Sequence, residues 1–312
     1  MRYVLLALSL MSVVCLLPKS ARAEQTALTL ATATKGGGFQ LYGNAAADVI
    51  NAIDPTLRIE TKDTKGSLEN IPLLNNAKVD LGLVQGVAAH EAFAGIGQPA
   101  SDLKVIAAIY SSPGMFVVKG GSPAHSVADL TGKPIAWGTP TSGLTLMAKY
   151  IMDGLGYDRD NDFRPVFLKK AGDGPALVLD GKVAAFWGAG IGWPGFTKVM
   201  KASGRFIGFS EEAVEKVTSK HTFLKAMTVP AGSYEGQPDD VRSIGVWSFI
   251  LARADLADEV AYRVAKALHK GHAELVGKLV QARETTPENT RAAADDYRIH
   301  PGVLKYLKEI GF

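Results

Sequence analysis

Short apolar runs rich in β-branched residues alternate along this chain with stretches of helical periodicity. LTLATAT precedes a helical pattern near Gly38–Ala52, LRIETKDT one near Leu68–Ala77 and VDLGLVQ one near Val87–Gly95, and VIAAIY ends the series. Repeated strand–helix units of this kind predict a mainly parallel sheet covered by helices. The segment YSSPG, Tyr110–Gly114, reads as a crossover. After it the rhythm restarts with PIAWGT, a long helix near Leu144–Leu155, FRPVFL, a helix near Gly174–Leu179, VAAFWG and RFIGF. From about Ile244 a last strand, VWSFILA, leads into a helix over Leu256–Lys270 and a helical tail.

The two halves open alike, each with a strand running into a loop of Gly, Ser and Thr and then into a helix. The unit is LTLATATKGGGFQLYGNAAADVI in the first half and PIAWGTPTSGLTLMAKYIMDGL in the second. It occurs only twice, so this is no solenoid. The expected organisation is one lobe from 24–112, a second from 113–239, and a return to the first over 240–312.

At the start, Arg2, an apolar run from Val4 to Leu17 and the small-x-small site Ala21-Arg22-Ala23 read as a secretory signal peptide covering 1–23. The run has 14 residues, whereas a spanning helix needs about 20. Cleavage would remove Arg2, Lys19 and Arg22 and no acid, leaving 31 basic against 31 acidic residues. A mature chain of about zero net charge has no basic footprint for nucleic acid, and that class is excluded. Cys15, the one cysteine, lies in the leader, so the mature chain forms no disulfide. The 289 residues from Glu24 to Phe312 exceed the usual size of one domain. A hydrophobic fraction of 47% can supply cores for two.

Candidate chemistry lies in the loops that feed helices. In a doubly wound sheet, ligands bind outside the carboxyl ends of the strands. Thr34-Lys35-Gly36-Gly37-Gly38 is such a loop. Its glycines can bring backbone N–H groups close to a ligand, and the following helix start adds unpaired N–H groups and the positive end of a dipole. Thr139-Pro140-Thr141-Ser142-Gly143 offers the same donors plus hydroxyls from the other half. Two donor-rich helix starts suit an anion held between lobes; tight turns with N-caps are the plainer alternative. A third loop, Thr64–Asn70, holds Ser67 as donor or cap, and Pro72 just beyond it should delay or kink the helix.

Other motifs carry less. The string Gly190-Ile191-Gly192-Trp193-Pro194-Gly195 matches a dinucleotide fingerprint, but the helix after it is short, and a loop presenting Trp187 and Trp193 to a cleft fits better. No G-x-S-x-G, H-E-x-x-H or cysteine nucleophile follows the leader. His269 and His272 read as an exposed, unliganded face, and the pairs Glu211-Glu212, Asp239-Asp240 and Asp295-Asp296 as solvated surface. No metal cluster, cofactor site or catalytic set is expected.

Six strings in order, LTLATATKGGGFQLYGNAAADVI, KGSLENIPLLNNAKVDLGLVQ, VIAAIYSSPGMFVV, SVADLTGKPIAWGTPTSG, VPAGSYEGQPDDV and IHPGVLKYLKEIG, resemble the TAXI solute receptors of TRAP transporters. The resemblance covers nearly all of the mature chain. It implies a two-lobed type II periplasmic-binding-protein fold, in which the lobes close on a small organic solute, often an amino acid or dicarboxylate. It implies a membrane permease driven by an ion gradient as partner. By the same resemblance the solute meets Thr34, Gly37, Gly38, Phe39, Ser67 and Gln85 from one lobe and Thr139, Thr141, Ser142 and Gly143 from the other, with Trp187 and Gly190 nearby. The chain departs from the family at Phe39-Gln40, where two tyrosines are usual, at Gly86-Val87 after Gln85, and at Ala184, where an acid is usual. Each change makes the pocket less polar. Receptors of ABC-type importers for sulfonates or aromatic precursors share the fold and remain an alternative, as does a periplasmic sensor for a receptor kinase. Protein recovered from the periplasm is expected to begin at Glu24 on N-terminal sequencing; a mature form beginning at Met1 would overturn the leader and the charge argument.

Overall fold

The computed structural model describes residues 25–312; the leader expected over 1–23, with Cys15, lies outside them. The first unit is β1 (Thr26–Ala31), α1 (Gly38–Ile53), β2 (Leu57–Lys62), α2 (Ser67–Asn75), β3 (Leu81–Gln85) and α3 (Gly86–Ala94). A long strand, β4 (Lys104–Val118), leads into β5 (Pro134–Gly138), α4 (Gly143–Leu155), β6 (Arg164–Phe167), α5 (Gly174–Leu179), β7 (Ala185–Ala189) and α6 (Pro194–Lys201). Then come β8 (Arg205–Ile207), α7 (Glu211–Lys220), β9 (Lys225–Val229) and a second long strand, β10 (Val241–Ala252). The tail carries α8 (Asp258–Lys270), α9 (His272–Lys278), a 3-10 turn over Val280–Glu284, α10 (Pro287–Ala293) and α11 (Pro301–Glu309).

The strand order β2-β1-β3-β10-β4-β7-β5-β6 is nearly symmetric about its middle. On each side three strands run parallel, β2-β1-β3 and β6-β5-β7, and the repeated strand–loop–helix unit opens each set. Between them β4 and β10 pair antiparallel over most of their length and belong to both lobes. Helices cover both faces of each parallel set. The first lobe's cores join α1, α8 and α11 on one face and α2 and α3 on the other. The second lobe's cores join α4 and α7 on one face and α5 and α6 on the other. Core membership passes from the first lobe to the second between Tyr110 and Met115, and back between Val246 and Phe249.

Local sequence accounts for the elements. α1 buries Tyr42, Ala46, Val49 and Ile50, the spacing of a single helical stripe. α8 buries Ala261, Val264, Ala265 and Leu268 on the same spacing, with Asp258 and Glu259 in its first turn and Lys270 in its last, each charge complementing the helix dipole. α7 begins at Glu211 because Ser210 caps it, its hydroxyl accepting the Ala213 N–H. The Glu211-Glu212 pair is thus a first helical turn. Pro72 does not delay α2, which starts at Ser67 and runs through it. The proline is exposed, so the carbonyl whose N–H partner it removes can turn to water. His269 and His272 belong to different helices, and each is hydrogen-bonded, to the Tyr306 hydroxyl and the Ala282 carbonyl respectively.

The tail serves the long strand. In the first lobe β4 has β10 on one side and no strand on the other, and an open edge of that kind must be satisfied or covered. The tail does both. Val105 N–H donates to the Arg298 carbonyl, and Ala108 N–H donates to Thr290 Oγ1. The Ile109 carbonyl accepts from Thr285 Oγ1, and Ser111 gives its N–H and hydroxyl to the Glu284 carboxylate at 2.8–2.9 Å. A second tie joins α8 to the turn after α1. Arg263 Nε donates to Asp54 Oδ2 at 2.8 Å, and Asp54 also accepts from Thr56. The Arg263 guanidinium, assisted by Thr56 and opposed by partial burial, holds the Asp54 carboxyl down at about 2. A depressed carboxylate stabilises the fold above its unfolded pKa of about 3.9 and loses that contribution as pH falls through its folded value. Denaturant unfolding followed from pH 5 to pH 2 should therefore show an acid limb between about pH 4 and pH 2 that Asp54→Asn flattens; an unchanged limb would show that the pair does not tie the tail down.

Candidate functional site

Between the lobes lies a cavity of about 100 Å³, room for a small organic molecule, since one water needs about 10–15 Å³ by this measure. The first lobe lines it with the loop after β1, the starts of α1 and α2, and the end of β3: Ala33, Thr34, Gly37, Gly38, Phe39, Gly66, Ser67 and Gln85. The second lobe contributes Gly138, Thr139, Ser142, Gly143, Leu144, Ala171, Phe186, Ala189 and Trp193. The floor is the crossing itself, Tyr110 and Ser112 on β4 and Ser248 on β10. Ser112 and Ser248 share a hydrogen bond of 2.9 Å there.

The lobes touch, backbone to backbone, around this cavity. A Cβ on Gly143 would stand 2.6 Å from Gln85 Cβ and 2.8 Å from Ser67 Oγ, closer than atoms pack, so only glycine allows the start of α4 to seat there. Gly66 caps α2 with φ 116°, a conformation other residues avoid, and a Cβ there would stand 3.2 Å from Ser142 Cα. Hydrogen bonds complete the seam. The Ala171 N–H donates to Thr34 Oγ1 at 3.1 Å, and Trp193 Nε1–H donates to the Gly36 carbonyl at 3.3 Å. The Leu68 N–H donates to the Thr141 carbonyl at 3.1 Å, while the Thr139 and Thr141 hydroxyls point to the Lys65 carbonyl at 3.4 and 3.3 Å. Farther out, Tyr150 donates to Glu91 at 2.8 Å and His90 stacks on Phe223 at 4.1 Å. These contacts bring the two lobes together around the cavity.

The candidate residues divide by place. Thr34, Gly37, Gly38, Phe39, Ser67, Gln85, Thr139, Ser142 and Gly143 line the cavity. Thr141 sits on the rim, engaged in the seam. Gly190 turns the chain with φ 91° beside Gln281, outside the lining. Trp187 does not face the cleft: it is fully buried against Phe116 and Trp137, its Nε1–H donating to the Leu144 carbonyl at 3.1 Å. A tryptophan on a central strand answers to the core of its sheet, whereas Trp193, in the loop beyond that strand, reaches the cavity. Lys35, the one full positive charge near the glycine loop, is exposed and does not line the cavity.

Most of the hydroxyls are already engaged. Thr34, Thr139 and Thr141 serve the seam, and Ser142 caps α4 by accepting the Thr145 N–H. Among the described residues, the N–H groups of Gly38 and Phe39 at the start of α1, and of Gly143 and Leu144 at the start of α4, have no protein partner. The Tyr110 hydroxyl also makes no hydrogen bond within the described residues. Burial, and secondarily neighbouring Tyr42, push its phenol far above the usual range, so it stays a neutral donor. Gln85 Nε2 donates only to Met147 Sδ, a weak acceptor, at 3.0 Å. No Asp, Glu, Lys, Arg or His lines the cavity, and no cluster of metal-binding side chains occurs among the described residues. The arrangement can hold a small molecule by dipoles and apolar contact; it offers no nucleophile with a base beside it.

A model of the NMT1-like family matches residues 30–311. The chain belongs to the NMT1-like family. Solved structures of similar fold include one described as a periplasmic transporter, 14% identical, with 91% of this chain and 92% of that one covered and a TM-score of 0.57. Another is a putative L-cystine ABC transporter from Listeria monocytogenes, 16% identical, covering 84% and 98% with a TM-score of 0.51. A third is an ancestral arginine-binding protein bound to arginine, 14% identical, covering 82% and 99% with a TM-score of 0.51. At these identities the likeness is one of fold, and this NMT1-like chain has the two-lobed α/β fold of periplasmic binding proteins. No helix among the described residues is long and apolar enough to cross a membrane. Because a side chain at 143 would collide with Gln85 and Ser67 of the other lobe, Gly143→Val is expected to hold this NMT1-like protein open. Small-angle scattering should then give the variant a larger radius of gyration than the wild type under conditions where the wild type is closed; equal radii would show that the seam is not the closing contact.

Proposed function

We propose that the protein is a periplasmic solute-binding receptor of a TRAP-type secondary transporter, which captures a small organic carboxylate between its lobes and delivers it to the membrane permease. The observation that carries the receptor reading is the cavity at the seam, with two helix starts aiming unpaired N–H groups toward it from opposite lobes. Family membership and a fold that recurs in solute-binding proteins support the same reading. The lobes divide, in this proposal, near 112–113 on the way out and on β10 on the way back, so that β4 and β10 act as the hinge. The TRAP assignment rests on the six resembling strings of the sequence. An ABC-type importer is the second reading, because similar structures include one described as the substrate binding protein of an amino acid ABC transporter and one described as a putative L-cystine ABC transporter. Reconstitution of the receptor with its permease separates the two: uptake driven by an ion gradient without ATP supports the first, and a strict ATP requirement the second.

Anion capture by backbone N–H groups makes a specific ordering of variants. A hydrogen bond to an ionised group contributes about 1.5–3 kcal/mol, so losing one weakens binding by roughly 10- to 150-fold. Ser142→Ala removes a hydroxyl engaged in capping and keeps the backbone donors of α4. Gly37→Val adds a branched side chain where a Cβ alone would already stand 3.0 Å from the Thr34 carbonyl and 3.3 Å from Ala171 Cβ. Calorimetry with the solute identified by native mass spectrometry is expected to show the larger loss for Gly37→Val. Wild-type affinity in that variant would reduce the loops to turns.

A further inference from the structure

The absence of charge from the lining narrows the solute. We infer that the solute is an organic acid without an ammonium group, built on an apolar or aromatic body, whose acid group is received at the start of α1 beside Tyr110 and Gln281. This rests on the receptor reading above and names the class of molecule for the same cavity.

Three observations converge. An ammonium group taken from water into a site between two lobes needs a carboxylate or a full set of acceptors, and an unpaired charge costs several kcal/mol to bury. The lining holds no carboxylate; Gln85 Oε1 already accepts from the Val87 N–H, and the unpartnered Gln281 Oε1 near the start of α1 is a single acceptor, short of the set an ammonium needs. The second observation is at α1. A Cβ placed on Gly38 would meet the Tyr110 hydroxyl at 3.2 Å and the two ends of the Gln281 amide at 3.8 and 3.9 Å, so both side chains are aimed at the space above the first turn. Both are about 95% buried, at 5% and 4% exposure. The Tyr110 hydroxyl and Gln281 Nε2 are donors that make no hydrogen bond among the described residues, and Gln281 Oε1, an acceptor, is unpartnered as well. Buried polar groups are ordinarily paired; an ionised acid above the helix start supplies acceptors for these two donors, and a hydroxyl or water the donor for Oε1. The third observation is the walls: Phe39, Leu144, Phe186 and Trp193 with the ring of Tyr110 offer apolar surface for the body of the solute.

Gln281 also explains a feature of the seam. It comes from the tail of the first lobe and stands 2.9 Å from where a Cβ of Gly190, in the second lobe, would be. Glycine at 190 therefore lets the amide approach the cavity from the side on which the lobes meet.

The test pairs acids that differ only in the group at carbon 2: 4-methyl-2-oxopentanoate against leucine, and phenylpyruvate against phenylalanine, titrated by calorimetry into natively purified protein dialysed free of solute. The oxo acid of a pair is expected to bind at least about 100-fold more tightly than its ammonium-bearing partner. An amino acid bound as tightly as its oxo acid overturns the inference and leaves the receptor reading intact. Should neither pair bind, the solute released from natively purified protein decides: an ammonium-free acid supports the inference, and an ammonium-bearing or neutral solute overturns it. No released solute and no binding of any probe overturns the receptor reading itself, and the inference with it. Tyr110→Phe is expected to weaken the bound acid by about 10- to 150-fold, while the thermal midpoint without solute stays within a few degrees of the wild type. Unchanged affinity in that variant removes Tyr110 from the site.

Discussion

The antiparallel crossing of β4 and β10 is the constraint on which the rest depends. These two strands alone run through both lobes, with Tyr110 opposite Ser248 and Gly114 opposite Ile244 at the crossing. Each parallel set hangs from one side of the pair, β3 on β10 and β7 on β4. A change of twist in two strands therefore moves three-strand blocks with their helices as units, since cores packed at near-crystalline density transmit motion without absorbing it. The crossing is also tightly built. A Cβ on Gly245 would meet the Ser112 carbonyl at 2.2 Å, and Ser243 donates its hydroxyl to the Gly114 carbonyl at 2.8 Å. The cavity floor is this same crossing, so whatever bends these two strands also moves Tyr110, Ser112 and Ser248 at the base of the cavity.

The tail links the hinge to the site by a second route. Glu284 and Thr285 satisfy the edge of β4, and three residues earlier Gln281 stands over the start of α1. One short segment thus pairs the open edge of the long strand and places an amide beside Gly38, at the helix start that lines the cavity. Its position is fixed by backbone groups that have nowhere else to bond, which gives the amide a defined place even without a partner of its own.

Much of this was legible in the sequence, for reasons that can be named. Alternating apolar runs and helical periods gave α1 to within one residue at its end, and gave α4 and α5 within one residue at each end, because their stripes are regular and their starts are marked by Gly or Ser. The glycine-rich loops were legible as helix starts, and nine residues named from them and from β2, β3 and their resemblance line the cavity. What escaped was non-local. Tyr110, Ser112 and Ser248 come from two strands 136 residues apart at the serine pair, and no local pattern announces that they share a floor. Gln281 sits in a short 3-10 turn with no periodicity to read. Trp187 was misplaced because a tryptophan near a glycine turn looks available, whereas the period of two along β7 turns it into the aromatic core.

The way the hydroxyls are used bears on how binding and closure are coupled. Thr34, Thr139 and Thr141 spend theirs across the seam, in neutral hydrogen bonds of 3.1–3.4 Å. Bonds of that kind contribute about 1 kcal/mol each net of water, so a handful sets a shallow bias between open and closed forms and no more. The unpaired N–H groups of α1 and α4 and the Tyr110 hydroxyl oppose closure when the cavity is empty, because closing takes them from water with nothing to replace it. A solute that meets those donors reverses the sign of that contribution in the closed form alone. Differential affinity for one state is what shifts a two-state equilibrium, and a shift from mostly open to mostly closed takes about 5.5 kcal/mol, within reach of two or three charge-assisted hydrogen bonds at about 1.5–3 kcal/mol each. If the solute is the proposed acid, neutral donors left unpaired on both faces of a glycine seam would make closure conditional on it, without any charged side chain lining the cavity.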